Sequence, residues 1–149
     1  MMKKNFLPIS INIAGEKILI IGGGADAFKK LRILQRFDAE VEVLAPDVCQ
    51  EIKDSGVKYI EEAYDKKFIK GYLMLYSCLN DDKTDRQIVN DGKEAGVLVN
   101  IHDKPAFCQF ISPAIYRRGN IFVAVSSNGE NVYESIRIRD LIKEKIQIN

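Results

Sequence analysis

A buried strand that leads into a glycine turn and then into a helix constrains this chain more than any other feature. The apolar run in EKILIIGGG, residues 16–24, is typical of a strand buried on both faces of a parallel sheet. In the segment ADAFKKLRILQRFDA that follows, Ala27, Leu31 and Leu34 recur at helical spacing and predict an amphipathic helix. This order of elements indicates the first unit of an α/β fold.

The alternation of strands and helices continues up to residue 103. Strand patterns at EVEVLAP, VKYIEEA, LMLYSCL and VLVNI alternate with helical patterns, and the longest helix is predicted to end at Gly96. The sequence therefore predicts a Rossmann-like, doubly wound parallel sheet as a nucleotide-binding domain over residues 1–112.

The pattern changes after Asp103. Two strand-like runs are joined by RRGN, which predicts a hairpin, and a last helix follows with Asn131 as its N-cap and Glu134 three residues on. A hairpin and a helix cannot form a core of their own. Residues 113–149 are therefore predicted to be a dimerisation region, and packing on the same chain is the alternative.

The glycine turn GGGADA matches the G-x-G-x-x-A pattern in the strand-to-helix context that the motif requires. In this pattern the first glycine permits the tight turn, the next lets a pyrophosphate approach the backbone, and Ala27 allows close packing of helix on strand. A glycine turn that binds no ligand is the alternative. We predict that the turn binds a dinucleotide at the positive end of the helix, through Gly22, Gly23, Gly24, Ala25 and Asp26.

The end of the second strand bears on which dinucleotide is bound. NAD-binding folds usually place an acid there to hold the ribose hydroxyls. Here the strand ends in Leu44 and Ala45, and Asp47, directly after Pro46, is the first acid within reach. Pro46 and Asp47 are therefore predicted cofactor contacts. Because no arginine stands there to receive a 2′-phosphate, NAD is favoured over NADP.

Composition excludes several other classes of function. The formal net charge of +1 gives no reason to expect a nucleic-acid or anionic-membrane partner. No apolar run approaches the roughly 18 residues that span a bilayer, and the first ten residues lack a signal-peptide core, so a cytoplasmic location is expected. A single histidine and three widely spaced cysteines predict reduced thiols and no zinc or other metal site.

Four segments carry a longer pattern: FLPISINIAGEKILIIGGGADAFKK, SCLNDD, VNIHDKPAFCQFISPAI and IFVAVSSNG. Together they cover nearly residues 6–129 and resemble the precorrin-2 dehydrogenase family, which includes the N-terminal part of bacterial siroheme synthase. In that family the matching segments are a Leu-Pro strand leading to a triple-glycine loop and a lysine on the first helix, an Ala-Thr-Asp-Asp sequence, an Asn-Val-x-Asp segment, and a strand ending in Ser-Ser-x-Gly. The family fold is a Rossmann-like domain followed by a strand-and-helix dimerisation region.

The resemblance implies NAD-dependent oxidation of the tetrapyrrole precorrin-2 to sirohydrochlorin, on the route to siroheme or cobalamin. The family's essential aspartate falls on Asp103. A carboxylate at the carboxyl end of a parallel strand faces the ligand crevice, which suits a general base. The alternative for Asp103 is a turn residue before Pro105. Because adjacent strand residues point to opposite faces, His102 and Asp103 are predicted not to form a hydrogen-bonded pair. His102 is predicted to be structural and to face away from the crevice.

Substrate contacts are predicted at two further positions. Ser127 matches a family serine near the porphyrinoid site, with a serine that caps the following turn as the alternative, and Asn100 is expected to fix the backbone of the crevice. Cations should bind the substrate carboxylates, although a solvated charged face explains each candidate equally well. These candidates are Lys104, Arg117, Arg118, Arg137 and Arg139.

Two other functions remain open at this point. Bifunctional family members also insert iron into sirohydrochlorin, and they continue into a helical module beyond the position of Asn149, so chelatase activity is in doubt. A non-catalytic NAD-sensing domain, such as the regulatory domains of potassium transporters, is the alternative from another class. Those domains resemble the chain only in its first strand–helix–strand unit.

Overall fold

The computed structural model describes residues 3–147, and the chain divides into two compact units. The larger one, Ile11–Phe110, is called the sheet unit below. The smaller one, called the hairpin unit, combines Met1–Ser10 with Ile111–Asn149.

Five parallel strands form the centre of the sheet unit in the order β3-β2-β1-β4-β5. Their bounds are β1 Lys17–Ile21, β2 Glu40–Leu44, β3 Lys58–Ile60, β4 Met74–Ser77 and β5 Leu98–Ile101. The direction of winding reverses between β1 and β4, and ligands of open α/β sheets bind at the carboxyl ends of the strands at such a point.

Helices cover both faces of this sheet. The helices are α1 Ala25–Gln35, α2 Gln50–Asp54 and α3 Asp82–Ala95, with short 3₁₀ turns at Lys66–Phe68 and Pro105–Phe107. Ile18 and Ile20 of β1 pack in one cluster with Ala27 and Leu31 of α1, whereas Leu19, on the opposite side of the strand, is equally buried. The predicted Rossmann-like, doubly wound sheet is therefore confirmed.

Local signals set the length of α3. Its N-cap Asp81 accepts a hydrogen bond from the Thr84 backbone N–H, and the helix ends at Gly96, as predicted, in the left-handed conformation. A Cβ at Gly92 would lie 2.3 Å from Cγ2 of Val99, so only glycine lets α3 approach β5 this closely.

The hairpin unit contains an antiparallel pair and one helix, as predicted. Strands β6 Ala114–Arg118 and β7 Ile121–Val125 pair from Arg118↔Ile121 outward, and α4 Val132–Lys145 packs against both of them. The predicted cap at Asn131 is present, since its Oδ1 accepts a hydrogen bond of 3.0 Å from the backbone N–H of Glu134.

The N-terminal residues belong to the hairpin unit, whereas the sequence assigned them to the nucleotide-binding domain of residues 1–112. Asn128 ties them there, because its Oδ1 accepts from the Phe6 N–H at 2.7 Å and its Nδ2 donates to the Lys4 carbonyl at 3.3 Å. Residues 3–12 form no strand, although the family resemblance implied one. Within residues 3–147, no helix has the length and apolar character needed to cross a membrane.

Candidate functional site

The first two glycines of the turn after β1 are required by their neighbours. Gly22 donates its N–H to the Leu44 carbonyl at 2.9 Å and has a φ of +134°, and a Cβ there would lie 3.0 Å from the carbonyl oxygen of Cys78. A Cβ on Gly23 would lie 1.9 Å from the carbonyl oxygen of Asp47. The turn therefore packs against the chain that leaves β2 and β4, at the carboxyl edge of the sheet.

Gly24 has a different environment. A Cβ built on it would meet no atom within 4 Å, and it caps α1 without any side-chain hydrogen bond. The first N–H groups of a helix have no partner within the helix and carry a partial positive charge. Open space in front of such groups fits the pyrophosphate of a dinucleotide.

A cavity of about 300 Å³ lies at the same edge of the sheet unit. Its lining comes from the segments that follow β2, β3 and β4 and from α3: Pro46, Ala63, Tyr64, Leu79, Asp81, Thr84 and Gln87. This volume is at the lower end of the range for small-molecule pockets. Asp47, the predicted ribose contact, is exposed directly after Pro46.

The turn after β5 holds the predicted base. The backbone N–H of His102 donates to the Ser77 carbonyl at 2.9 Å, and Asp103 then adopts a φ of +57°. The Asp103 side chain is 85% exposed. Its carboxylate is thus open to a substrate or to solvent at the carboxyl end of β5.

The side chains of His102 and Asp103 do not point to opposite faces, so the expectation that strand alternation separates them is wrong. Nε2 of His102 lies 3.3 Å from Oδ2 of Asp103 and 3.6 Å from Oδ2 of Asp26, in the first turn of α1. Strand alternation does not apply here, because β5 ends at Ile101 and the left-handed Asp103 turns its side chain back toward the imidazole. His102 therefore lies between the predicted base and the glycine turn.

Lys104, on the other side of Asp103, is held by two carboxylates of α3. Its Nζ lies 2.9 Å from Oδ2 of Asp85 and 2.5 Å from Oδ1 of Asp82. Asp85 is only 2% exposed, and it also accepts a hydrogen bond of 2.7 Å from Oγ of Ser77. The hydrogen bonds to Asp82 and Asp85 raise the pKa of Lys104, and the ammonium in turn holds the pKa of Asp82 below its usual value.

Sequence reasoning did not predict Lys30 as a member of the site. Its ammonium lies 4.6 Å from the ring centroid of Tyr76, and burial lowers its pKa, although the charges of Cys78, Cys108 and Asp103 act in the opposite direction. Burial also raises the pKa of the Cys78 thiol to about 11. One feature of the sequence could have indicated that Lys30 is partly buried: it follows Ala27 by three residues and so lies on the apolar side of α1.

The two predicted substrate contacts make hydrogen bonds within their own units. Asn100 is 8% exposed, and its Nδ2 donates to the Phe110 carbonyl at 3.0 Å. Oγ of Ser127 accepts from the Asn131 N–H at 2.8 Å, which is the turn-capping alternative considered above. Their roles toward a substrate stay predictions. Among residues 3–147, no three His, Cys, Asp or Glu side chains are grouped so that they could hold a metal ion.

Comparison with known proteins identifies the sheet unit. Residues 9–114 match a family model described as "Putative NAD(P)-binding". The chain belongs to this family. The open glycine turn and the residues that line the cavity both lie within the matched residues.

Similar proteins agree with this family. The chain is 35% identical over 147 residues to the siroheme synthase of Buchnera aphidicola subsp. Acyrthosiphon pisum, which covers 96% of this chain and 30% of the relative. It is 38% identical over 128 residues to that of Nitrosococcus oceani, covering 83% and 27%. The chain thus spans about 30% of the length of the first of these relatives.

A solved structure shares the fold. The structure named "SirC, precorrin-2 dehydrogenase" superposes with a TM-score of 0.73 at 19% sequence identity, over 95% of this chain and 72% of the other. At this identity the likeness supports the fold. Together with the siroheme synthase relatives, it confirms the resemblance to the precorrin-2 dehydrogenase family that the sequence motifs indicated.

Proposed function

We propose that this chain is an NAD-dependent dehydrogenase that oxidises precorrin-2 to sirohydrochlorin. One observation carries the proposal: the imidazole of His102 lies within 3.6 Å of Asp26 at the glycine turn and within 3.3 Å of Asp103. A candidate cofactor site and an exposed carboxylate are thus separated by a single side chain. The names of the siroheme synthase relatives and of the similar structure support the choice of substrate.

The residues of the glycine turn would hold the cofactor. The first-turn N–H groups of Ala25 and Asp26 would bind the pyrophosphate next to Gly24, and Asp47 beside Pro46 would bind the ribose. When bound, NAD supplies the acceptor for a hydride. A 2′-phosphate would face the exposed carboxylate of Asp47, which favours NAD over NADP.

Asp103 would accept the proton. Oxidation of precorrin-2 releases one hydride, which goes to the nicotinamide, and one proton, which goes to an oxygen of the Asp103 carboxylate and then to water. The high exposure of this side chain allows both transfers. The pairing of Lys104 with Asp82 and Asp85 leaves this ammonium engaged, so other cations are better candidates for the substrate carboxylates.

The test compares sirohydrochlorin formation in a single turnover at saturating NAD. Asp103→Asn keeps the shape of the side chain but cannot accept the proton, and loss of a general base slows reactions by about 10²–10⁴. NAD affinity measured by calorimetry should be unchanged. Near-wild-type turnover of Asp103→Asn would remove the base assignment, and a wild-type protein that does not oxidise precorrin-2 would contradict the function.

Gly24→Asp is the matched variant for the cofactor site. The open space around Gly24 can accept a side chain without a clash, so the variant should fold. Its carboxylate would occupy the space for the pyrophosphate and would repel it. We therefore expect loss of NAD binding with little change in thermal stability, and unchanged NAD affinity in the folded variant would show that the turn is not the cofactor site.

A further inference from the structure

We propose that His102 and Lys104 are positioning residues that hold the Asp103 turn, residues 102–104, between α1 and α3. This inference rests on the proposed function, because it gives the turn a purpose only if Asp103 is the base. What supports it is that each neighbour of Asp103 in the sequence contacts a carboxylate of a different helix.

The two helices lie on opposite faces of the sheet. The connection from β1 to β2 and the connection from β4 to β5 run in opposite directions along the strand order. Since such connections are right-handed, α1 and α3 must cover opposite faces. A turn fixed to both helices is therefore restrained from both sides of the sheet edge.

His102 forms the tether toward α1. Its imidazole is 28% exposed and lies between the carboxylates of Asp26 and Asp103, at 3.6 Å and 3.3 Å. Two other ionisable groups interact with the charge of Asp103. They are the ammonium of Lys30 on α1 and the thiol of Cys78 after β4. The tether links the base to the helix whose first turn would bind the cofactor.

Lys104 forms the tether toward α3. Asp85 is buried and bonded to both Lys104 and Ser77, so its charge is compensated only while the lysine remains in place. Removal of the cationic partner of a buried carboxylate strongly destabilises the folded protein. This dependence fixes the Lys104 side chain, and with it the backbone on the C-terminal side of Asp103.

The tethers act on a turn with a left-handed backbone conformation. A φ of +57° is uncommon for a residue with a Cβ. Within the turn itself, the Lys104 N–H donates to the Ile101 carbonyl at 3.2 Å. The tethers would keep the carboxylate pointing in one direction, which matters because a shift of about 1 Å can cost about 10²-fold in rate.

The kinetic test uses the whole 149-residue chain and four variants of it. His102→Leu and Lys104→Met remove one tether each, and Lys104→Arg keeps the charge. Lys83→Met is the matched control, because it changes an exposed lysine in the first turn of α3, beside Asp82 and Asp85. We expect single-turnover rates about 10- to 100-fold lower for the first two at an unchanged Kd for NAD. Lys104→Arg should restore most of the rate, and Lys83→Met should keep it.

A second measurement does not depend on the reaction. Amide hydrogen exchange of Lys104 reports opening of the Asp103 turn in the protein without ligands, with Leu75 in the core as reference. Relative to the intrinsic rate of the residue present, exchange of the amide at position 104 should be faster in both tether variants and unchanged in Lys83→Met. If Lys104→Met does not fold, Asp82→Asn loosens the same tether and leaves Asp85 paired, and the same faster exchange is expected.

Wild-type rates and wild-type exchange in the folded tether variants would overturn the proposal, as would an equal loss in Lys83→Met. Failure of the proposed function looks different. In that case the wild-type protein would not oxidise precorrin-2, while the exchange measurement would still decide whether the tethers hold the turn.

Discussion

The two units of the molecule bury their apolar residues very differently. Every buried apolar side chain among residues 3–147 lies in the sheet unit, including Leu31 and Leu75 at 0% exposure. In the described part of the hairpin unit, only Ser135 is buried. Most of the exposed large apolar residues belong to the hairpin unit: Leu7, Ile9, Ile121, Phe122, Val132, Tyr133, Leu141 and Ile146.

One strand from each unit illustrates this difference in burial. Four of the five positions of β1 are buried in KILII, as expected for a strand covered by helices on both faces. The run IFVAV of β7 is just as apolar, but none of its five positions is buried. The same composition therefore forms a core in one unit and a surface in the other, and a large exposed apolar surface marks an interaction site. We propose that a second copy of the chain covers residues 113–149 in a homodimer.

The largest expected effect is a difference in the free energy of unfolding when the same substitution, leucine to alanine, is made in each unit. Leu31→Ala in α1 removes a fully buried side chain and should lower the free energy of unfolding by about 2–5 kcal/mol. Leu141→Ala in α4 truncates a side chain that is 44% exposed, so we expect about 0.5 kcal/mol or less in dilute protein. Urea unfolding at low protein concentration measures both. Similar losses in the two variants would show that the hairpin unit has a core of its own.

The second prediction tests what covers the hairpin unit. Phe122 is 51% exposed, and a residue that acts as a hot spot at the centre of an interface contributes about 2 kcal/mol or more to binding. Phe122→Lys should therefore weaken self-association at least about 30-fold by sedimentation analysis. Ile33→Lys places the same charge on an exposed apolar position of α1 and should leave association unchanged. A wild-type protein that is monomeric at micromolar concentration would contradict the homodimer.

The sequence predicted the strands and helices that both units contain, because each of these elements has its own local signal, but the resemblance also implied an N-terminal strand that does not form. Apolar runs marked the parallel strands, Gly96 marked the end of α3, and Asn131 with Glu134 marked the start of α4. The N-terminal residues carried no such signal. Their place in the hairpin unit depends on the side chain of Asn128, more than a hundred residues away, and no local pattern encodes that contact.

The candidate site was harder to predict than the fold. The glycine turn follows from a motif, and its close contacts at Gly22 and Gly23 agree with that motif. The orientation of His102 relative to Asp103 was predicted wrongly because the alternation rule was carried two residues past the end of β5. Lys30 was missed because its place in the site arises from neighbours on other strands, such as Tyr76. The orientation of side chains just beyond the end of a strand therefore has to be read from the three-dimensional structure.

The smallest expected effect compares the N-caps of α3 and α4, one in each unit. Asp81 accepts hydrogen bonds from the side chain and the backbone N–H of Thr84, and these lower its pKa. Because the folded pKa lies below the unfolded value, the stabilisation by Asp81 is fully present above the unfolded value, near 3.9. It is lost as the pH falls through the folded pKa. Asn131 makes the equivalent bond to Glu134 and has no charge to lose.

Alanine variants of the two caps should therefore respond differently to pH. Asn131→Ala should lower the local stability of α4 by about 1 kcal/mol at every pH at which the protein stays folded. The effect of Asp81→Ala on α3 should be largest at neutral pH and should shrink below pH 4, because the wild-type cap itself loses its charge there. Native-state amide exchange in each helix, from pH 7 down to the lowest pH at which the fold persists, measures both. A difference for Asp81→Ala that stays constant with pH would show that the charge of this cap does not contribute, and the two units would then begin their long helices in the same way.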